Sequence, residues 1–287
     1  MSVVSREYPV RLCCQLVGVS RSGYYAYLRR RQDSSPVAES DTETGKEIGA
    51  IFREHKRRYG ARRIQAELRS RGKRIGRRRI RKLMQVMGLV AIQPRSFVPK
   101  TTQSPRELAA CANLVKQQTP IERPNQVWVG DITYIPLADG SFAYLAAWSD
   151  AGSRQIKGWK IARSMPDSLI IDAFEQAVKR YNPGAGLIVH SDRGGQYFSK
   201  KFRGILAVKG YIQSMAGIDN PYENAMAESL WSRLKAEVLE GGVFATMEEA
   251  EVEIFDYIEC YYNTKRRHSG IGYQTPAEFE NRYYHTK

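Results

Sequence analysis

The sequence has no apolar run that approaches the roughly 20 residues needed to cross a bilayer, and its first residues lack a signal-peptide pattern. Cysteine is scarce. Its four cysteines form neither a CxxC pair nor a Cys/His cluster with metal-ligand spacing: Cys13, Cys14, Cys111 and Cys260. We therefore expect a cytoplasmic protein with reduced thiols, no structural zinc and no membrane association.

Acidic residues are few in the first third of the chain. Residues 1–100 hold 24 Lys and Arg against 8 Asp and Glu, whereas the rest hold 21 against 22. The entire excess behind the net charge of +15 therefore lies in this first third. Such segregation favours a polyanionic partner, most often nucleic acid. The alternative is a basic surface that only keeps the protein in solution, but solubility does not require segregated charge.

The N-terminal pattern predicts two short helices around a turn at residues 10–31. Gly18 would end the first helix and Ser20 would cap the second. This arrangement fits a helix-turn-helix, which we assign to 1–35, although any helical hairpin has a similar pattern. The polar residues 32–43 read as a linker.

A second, basic helical block is predicted at 44–92. Ile64 and Leu68 lie four residues apart, and Ile80 and Met84 repeat that spacing, so both pairs face a core. The intervening basic residues would lie against DNA, with a solvated basic face as the alternative. The candidate DNA contacts are Arg62, Arg63, Arg77, Arg78, Arg79, Arg81 and Lys82.

A proline-containing linker follows at 93–120, with one short helix expected at 105–117. From residue 126 the composition becomes typical of β-strands. Strands are predicted at 126–137, 141–150, 155–162, 186–192 and 211–216, and helices at 167–181, 199–210, 221–239 and 246–267. The first three strands would form an antiparallel meander. The whole predicts an α/β domain with a mixed sheet over 121–284.

Three acidic residues occupy unusual places in this pattern. Asp131 lies inside the first strand, Asp192 ends the buried fourth strand, and Glu228 lies on a long helix. A buried ionised acid costs several kcal/mol unless it is paired or binds a metal. If the two strands are neighbours, the carboxylates would converge and suit Mg²⁺ or Mn²⁺. Two such ions, about 4 Å apart, serve phosphoryl transfer. The alternative is three unrelated surface acids.

The order of these acids, with 35 residues between the last two, resembles the acidic triad of the DDE transposase and retroviral integrase superfamily. The segments WVGDITYIP, HSDRGGQY, DNPYENAMAESLWSRLKAE and YYNTKRRHSGIGYQTPAEF are similar to the catalytic subunit of insertion-sequence-three-family transposases. VSRSGYY and RRYGARRIQAEL are similar to that family's DNA-binding region. One departure is Glu223, where the family usually has Asp.

The resemblance implies an RNase H-like catalytic domain preceded by an all-α helix-turn-helix DNA-binding region. It also implies a transposase that binds transposon ends and catalyses metal-dependent DNA cleavage and strand transfer. Asp131, Asp192 and Glu228 carry over as the triad that binds Mg²⁺ or Mn²⁺, and a pair of ions is expected because phosphoryl transfer can use two. Lys235 matches the family's basic residue and is expected to contact DNA near the cut. Expected partners are double-stranded DNA, as terminal inverted repeats and target, and further copies of the chain, which places the protein at the nucleoid.

Two other functions remain open at this point. One is a non-catalytic, sequence-specific DNA-binding regulator with a nuclease-like fold. The other is a plain ribonuclease H-like nuclease, which would not need the basic N-terminal third. Five further positions each have a functional and a structural interpretation: His190, Asn224, Trp231, Asp150 and the run Arg266-Arg267-His268.

Overall fold

The computed structural model describes residues 9–32, 36–94, 111–115, 121–217 and 225–286; the side chains of 29–39 and 225 are outside that description. The predicted helix at 105–117, Glu223 and Asn224 therefore fall wholly or mostly outside the described residues. The chain divides into two compact units, Met1–Ala91 and Ile92–Lys287. Within the described ranges, every helix is too short or too polar to cross a bilayer.

The described part of the first unit is helical. Its helices are α1 Val10–Val17, α2 Arg21–Gln32, α3 Pro36–Glu54, α4 Ala61–Ser70 and α5 Arg77–Val86. Gly18 ends α1 in the left-handed conformation, with φ of 68°, and the Ser20 hydroxyl accepts a hydrogen bond from the Gly23 amide at 3.0 Å. The predicted helical pair at 10–31 is therefore confirmed, with the turn and the cap where the sequence places them.

The predicted linker at 32–43 is wrong, because α3 begins at Pro36 and runs through it. Proline favours the first position of a helix, and the polar residues that follow make ion pairs. Asp41 accepts a hydrogen bond from the Arg79 guanidinium at 2.6 Å, and Glu47 pairs with Lys73. The polar composition thus reflects contacts between α3 and the neighbouring helices. Ile48, Ile64 and Ile80 are fully buried in the core that α3, α4 and α5 enclose.

The second unit is built on a five-stranded mixed sheet in the order β3-β2-β1-β4-β5. Its strands are β1 Val127–Pro136, β2 Phe142–Asp150, β3 Ile156–Ala162, β4 Ile188–Ser191 and β5 Ile212–Met215. β1, β2 and β3 form the predicted antiparallel meander, and β4 lies parallel to β1 on its other side. The α/β mixed sheet is therefore confirmed.

Helices cover both faces of this sheet. They are α6 Asp167–Tyr181, α7 Lys200–Lys209, α8 Ala225–Leu239, α9 Met247–Phe255 and α10 Pro276–His285. Trp128 of β1 packs with Phe174 of α6, whereas Val129 packs with Ala227 of α8. Alternate residues of β1 thus face α6 and α8, as the period of a strand requires. The predicted helix at 246–267 becomes a π-helix at Asp256–Tyr262 and ends there, and α10 was not predicted.

Gly130 of β1 lies against the indole of Trp148, which is buried and donates a hydrogen bond to the Ile170 carbonyl at 3.0 Å. A Cβ at residue 130 would lie 2.4–2.6 Å from the ring of Trp148. The strand that carries Asp131 can therefore pair as it does only with glycine at this position.

We predict that Gly130→Ala lowers the free energy of unfolding by about 1–3 kcal/mol, because the added methyl group overpacks a closed core. Urea titration of the full chain would measure the loss. Gly204→Ala is the matched control: Gly204 lies on α7 with nothing within 4 Å of an added Cβ, so this change should be neutral or stabilising by about 0.5–1 kcal/mol. Equal stabilities for the parent and the Gly130 variant would contradict the steric argument.

Candidate active site

The register of two parallel strands brings Asp131 and Asp192 together. Gly130 of β1 lies beside Ser191, the last residue of β4. The next position on each chain is an aspartate, and parallel neighbours are about 4.8 Å apart with side chains on the same face. Both carboxylates therefore belong to the face that α8 covers. The sequence left open whether these two strands are neighbours, and the sheet order shows that they are.

Two hydrogen bonds fix the carboxylate of Asp131. Its Oδ1 accepts from the amide of Ile132 at 2.8 Å, and its Oδ2 accepts from the indole Nε1 of Trp231 at 3.0 Å. Trp231 is 6% exposed and packs in the core between α8 and the sheet. Of the two interpretations of Trp231, the core aromatic is the one observed, and its polar edge orients the first acid.

Asp192 is held by the turn that follows it. Its Oδ1 accepts a hydrogen bond from the Gly194 amide at 2.9 Å. A Cβ on Gly194 would lie 3.0 Å from the same oxygen, so the turn closes this tightly because residue 194 lacks a side chain. The guanidinium of Arg193 donates to the Ala216 carbonyl at 2.9 Å and ties the turn to the end of β5.

The environment disfavours two ionised carboxylates. The pKa of Asp131 is raised to about 7, mainly by burial, then by the charge of Asp192 and less strongly by that of Glu228, against the two hydrogen bonds that lower it. Burial also raises the pKa of Asp192, against the Gly194 hydrogen bond. A divalent cation between these oxygens would remove the repulsion and favour both charged forms.

Glu228 and Lys235 lie on α8 on either side of Trp231. The spacing of three and then four residues places all three on one helix face. Glu228 is exposed in the first turn, whereas burial lowers the pKa of Lys235 and the charge of Asp131 acts against that shift. Within the described ranges, no three Asp, Glu, His or Cys side chains lie close enough to hold one ion. The structure thus brings Asp131 and Asp192 together and leaves Glu228 outside that pair.

Two other candidate residues, His190 and Asp150, make hydrogen bonds within the fold. His190 is 1% exposed, and its Nδ1 lies 2.9 Å from the Ser214 hydroxyl, inside the sheet. Asp150 is fully buried, and its carboxylate accepts hydrogen bonds from the amides of Asn125, Gly152 and Ser153 at 2.5, 2.8 and 2.8 Å. Asp150 therefore organises the turn after β2.

Arg266 differs from both of its sequence interpretations, a phosphate contact and a solvated helix end. It is 1% exposed, and its Nε and Nη2 donate to the two carboxylate oxygens of Glu237 at 2.8 and 2.6 Å. The hydroxyl of Tyr257 donates to the same carboxylate at 2.9 Å. This cluster anchors α8 to the π-helix, and sequence reasoning missed it because Arg266 lies 29 residues from Glu237 and no local pattern indicates that they pair.

The basic residues of the first unit divide into two groups. Arg78, Arg81 and Lys82 are exposed and lie on one face of α5, opposite the buried Ile80 and Met84. Arg77 is also exposed at the start of that helix, and Arg62 is exposed on α4.

The remaining two have contacts within the unit. Arg79 donates to Asp41 at 2.6 Å and to the Ser40 hydroxyl at 3.0 Å. The guanidinium of Arg63 lies 5.8 Å from the centre of the Tyr59 ring. The exposed group therefore provides the better DNA-contact candidates, and Arg79 is part of the fold.

Comparison with protein families gives matches in both units. Residues 121–221 and 228–283 match models of the integrase core domain, and residues 39–97 match an HTH-like domain. The HTH-like match covers α3, α4 and α5, whereas the sequence assigned the helix-turn-helix to 1–35. That assignment stays a prediction.

Three curated relatives align with most of the chain. The transposase for insertion sequence element IS904 of Lactococcus lactis subsp. lactis is 44% identical over 81% of this chain and 91% of its own length. The IS600 31 kDa protein of Shigella sonnei is 38% identical over 94% and 98%. Transposase InsF for IS3A of Escherichia coli is 35% identical over 96% and 95%.

Two solved structures give weaker likenesses. An intasome of simian T-cell lymphotropic virus, bound to the PP2A regulatory subunit B56 gamma, aligns with 75% of this chain and 70% of its own at 16% identity and a TM-score of 0.45. The HTLV-2 integrase catalytic core with magnesium aligns with 55% and 97% at 17% identity and a TM-score of 0.40.

We predict that Asp192→Asn stabilises the metal-free protein. The asparagine Oδ1 can keep the Gly194 hydrogen bond while the charge beside Asp131 disappears. In EDTA at pH 8 the unfolding temperature should rise by a few degrees, at about 2–4 °C per kcal/mol. Because the pKa of Asp131 is raised to about 7, its ionisation costs stability above that pH, and the cost fades as the pH falls toward its ordinary value of 3.8.

Thermal unfolding at pH 8 and pH 5 checks this prediction. The advantage of the variant should shrink at pH 5, and added Mg²⁺ should stabilise the parent more than the variant. Asp172→Asn, on the exposed face of α6, should show neither effect. A variant less stable than the parent at pH 8 in EDTA would contradict the repulsion between the two acids.

Proposed function

The chain belongs to the IS3 family of DNA transposases, and we propose that it cleaves and joins DNA at transposon ends with the carboxylates of Asp131, Asp192 and Glu228. One observation carries this assignment. The β1–β4 register sets two partly buried carboxylates side by side, at the positions that match the family's acidic triad. A fold that keeps two acids in mutual repulsion is best explained by a bound cation.

The donor set fits a hard divalent ion. The two aspartates offer carboxylate oxygens with no nearby thiolate, which suits Mg²⁺ or Mn²⁺. Glu228, in the first turn of α8, would complete the ligand set, and we propose a pair of ions. When bound, these ions would activate a water or a 3′-hydroxyl and stabilise the leaving oxygen at the scissile phosphate.

The chain's own residues orient this centre and the substrate. Trp231 donates to Asp131 and so fixes the plane of the first carboxylate. Gly194 holds Asp192 through its backbone and leaves space for the DNA backbone to approach. Lys235, on the same face of α8 as Trp231, would contact a phosphate near the cut. In this scheme, strand joining is attack by a released 3′-hydroxyl, so it requires no covalent protein–DNA intermediate.

The exposed basic face of α5 supports double-stranded DNA binding by the first unit. The major groove admits an α-helix, and exposed Arg and Lys along one helix face can contact phosphates and base edges there. We infer that this face engages the terminal inverted repeats of the element. Pairing two such ends requires at least two copies of the chain on DNA, and DNA binding would place the protein at the nucleoid.

We predict that Asp192→Asn abolishes Mg²⁺-dependent cleavage and joining of the parent element's ends while DNA affinity stays within about twofold. The substitution removes a metal ligand and leaves α5 unchanged. Gel assays of nicking and strand transfer, run beside a binding titration in EDTA, measure both quantities. Cleavage at the parental rate would refute the proposed centre, and loss of binding alone would show that residue 192 acts in DNA recognition.

We predict that Arg81→Ala weakens duplex binding and lowers the slope of log affinity against log salt by about 1, because one phosphate contact is lost. Arg79→Ala is the matched control: it should lower the stability of the first unit, since Asp41 loses its partner, with little change in the salt slope. Anisotropy titrations at several salt concentrations measure the slopes. The reverse pattern would show that Arg79 meets DNA and Arg81 does not.

A further inference from the structure

One face of the sheet is buried at one end and exposed to solvent at the other. On the α6 side, Gly130 and Trp148 are buried, but further along the same face Tyr134 of β1 and Phe142 of β2 are 41% and 48% exposed. On the opposite face, Ile135 of β1 is fully buried. The sheet thus emerges from under α6 on one side only, and in the described part of the chain no helix packs over that end.

The exposed end carries a ladder of three aromatic rings: the exposed Tyr134 and Phe142, and Tyr144, which is half-buried and also packs against the core on the α6 side. Tyr134 lies opposite Tyr144 in the β1–β2 register, with ring centres 5.4 Å apart at 63°. The Tyr134 and Phe142 rings are 6.1 Å apart at 79°. An antiparallel sheet face that meets water is ordinarily polar. An exposed aromatic cluster on such a face indicates a binding surface.

Positive charge flanks this aromatic ladder. Lys160 of β3 is exposed and lies opposite Ala146, which places it on the same face as Tyr144. Arg163 is exposed just after the end of β3, 3.8 Å from Asp139. Rings interleaved with cations suit a ligand that presents both flat bases and phosphates.

The aromatic ladder lies on the sheet face opposite the catalytic acids, further along the same strand β1. Tyr134 is three residues beyond Asp131, about 10 Å at the rise of a strand. The β1–β4 ladder ends at Gly130, so the segment from Ile132 to Pro136 continues past it with β2 as its paired neighbour. A DNA strand at Asp131 and Asp192 would therefore pass an open strand edge on its way to the aromatic ladder.

We propose that Tyr134, Phe142 and Tyr144 form a stacking platform for unpaired bases of the DNA substrate that pass round the edge of β1 from the catalytic acids. This inference rests on the proposed function, since cleavage and joining expose strand ends beside the catalytic acids. The proposed ligand of the aromatic ladder is single-stranded DNA, whereas the proposed ligand of α5 is duplex DNA. Stacking is tolerant of sequence, because every base has an aromatic face.

The test compares two DNA probes of one sequence: a blunt duplex, and the same duplex with a five-nucleotide 3′ overhang. Fluorescence anisotropy in EDTA gives both affinities for the full-length chain. The parent should prefer the overhang, and Tyr134→Ser combined with Phe142→Ser should weaken overhang binding about tenfold or more, since each stacked base contributes about 1–3 kcal/mol. Blunt-duplex affinity should stay unchanged.

Two further variants define what is lost. Tyr134→Phe keeps the ring and should retain the preference for the overhang. Phe255→Ser removes an aromatic side chain that is 53% exposed on α9 and should leave both affinities unchanged. If the double variant unfolds, Tyr134→Ser alone serves, because this side chain is already exposed.

The proposal is overturned if the parent binds the two probes equally, or if a folded Tyr134→Ser variant keeps full overhang affinity. A change in sedimentation to a smaller species, with overhang affinity intact, would identify the aromatic ladder as a contact between copies instead. Failure of the proposed function gives a different result: Asp192→Asn would retain cleavage, whatever the overhang measurement shows.

Discussion

The repulsion between Asp131 and Asp192 is the constraint on which the second unit depends. Backbone pairing between β1 and β4 ends at Gly130 and Ser191 and so places the two acids that follow side by side. The surroundings hold them there: a tight turn fixes one carboxylate, and an indole and an amide fix the other. Such an arrangement costs folding free energy in the absence of a cation. Binding of a cation by the two carboxylates would therefore stabilise the fold.

The helix that covers these acids is anchored at its far end. Glu237 of α8 is bound by two nitrogens of Arg266 and by Tyr257, all three buried. Removal of one partner would leave an uncompensated buried charge, which typically costs 3–5 kcal/mol. The anchor therefore restricts rotation and sliding of α8 where it meets the π-helix. Glu228, two and a half turns earlier, is exposed.

Much of this architecture could be predicted because local patterns and tertiary contacts agree. β1, β2, β3, α6 and α7 were predicted within a residue or two, since their alternation or helical spacing matches the faces they bury. The prediction of a linker at 32–43 was wrong because its polar residues pair with α5, a contact that no local sequence pattern indicates. The two interpretations of Arg266 were wrong for the same reason, because its partner Glu237 lies 29 residues away. The position of Glu228 relative to the aspartates could not be predicted from the sequence either, because it depends on how α8 packs.

The contact between Gly130 and the Trp148 ring has a consequence for the family's evolution. The residue before Asp131 has no room to vary, because Trp148 of the neighbouring strand fills the space where a side chain would begin. Substitutions at Gly130 and Trp148 should therefore occur together. A lineage that replaces the glycine should carry a smaller residue in place of the tryptophan, and aligned sequences should show paired change at these sites.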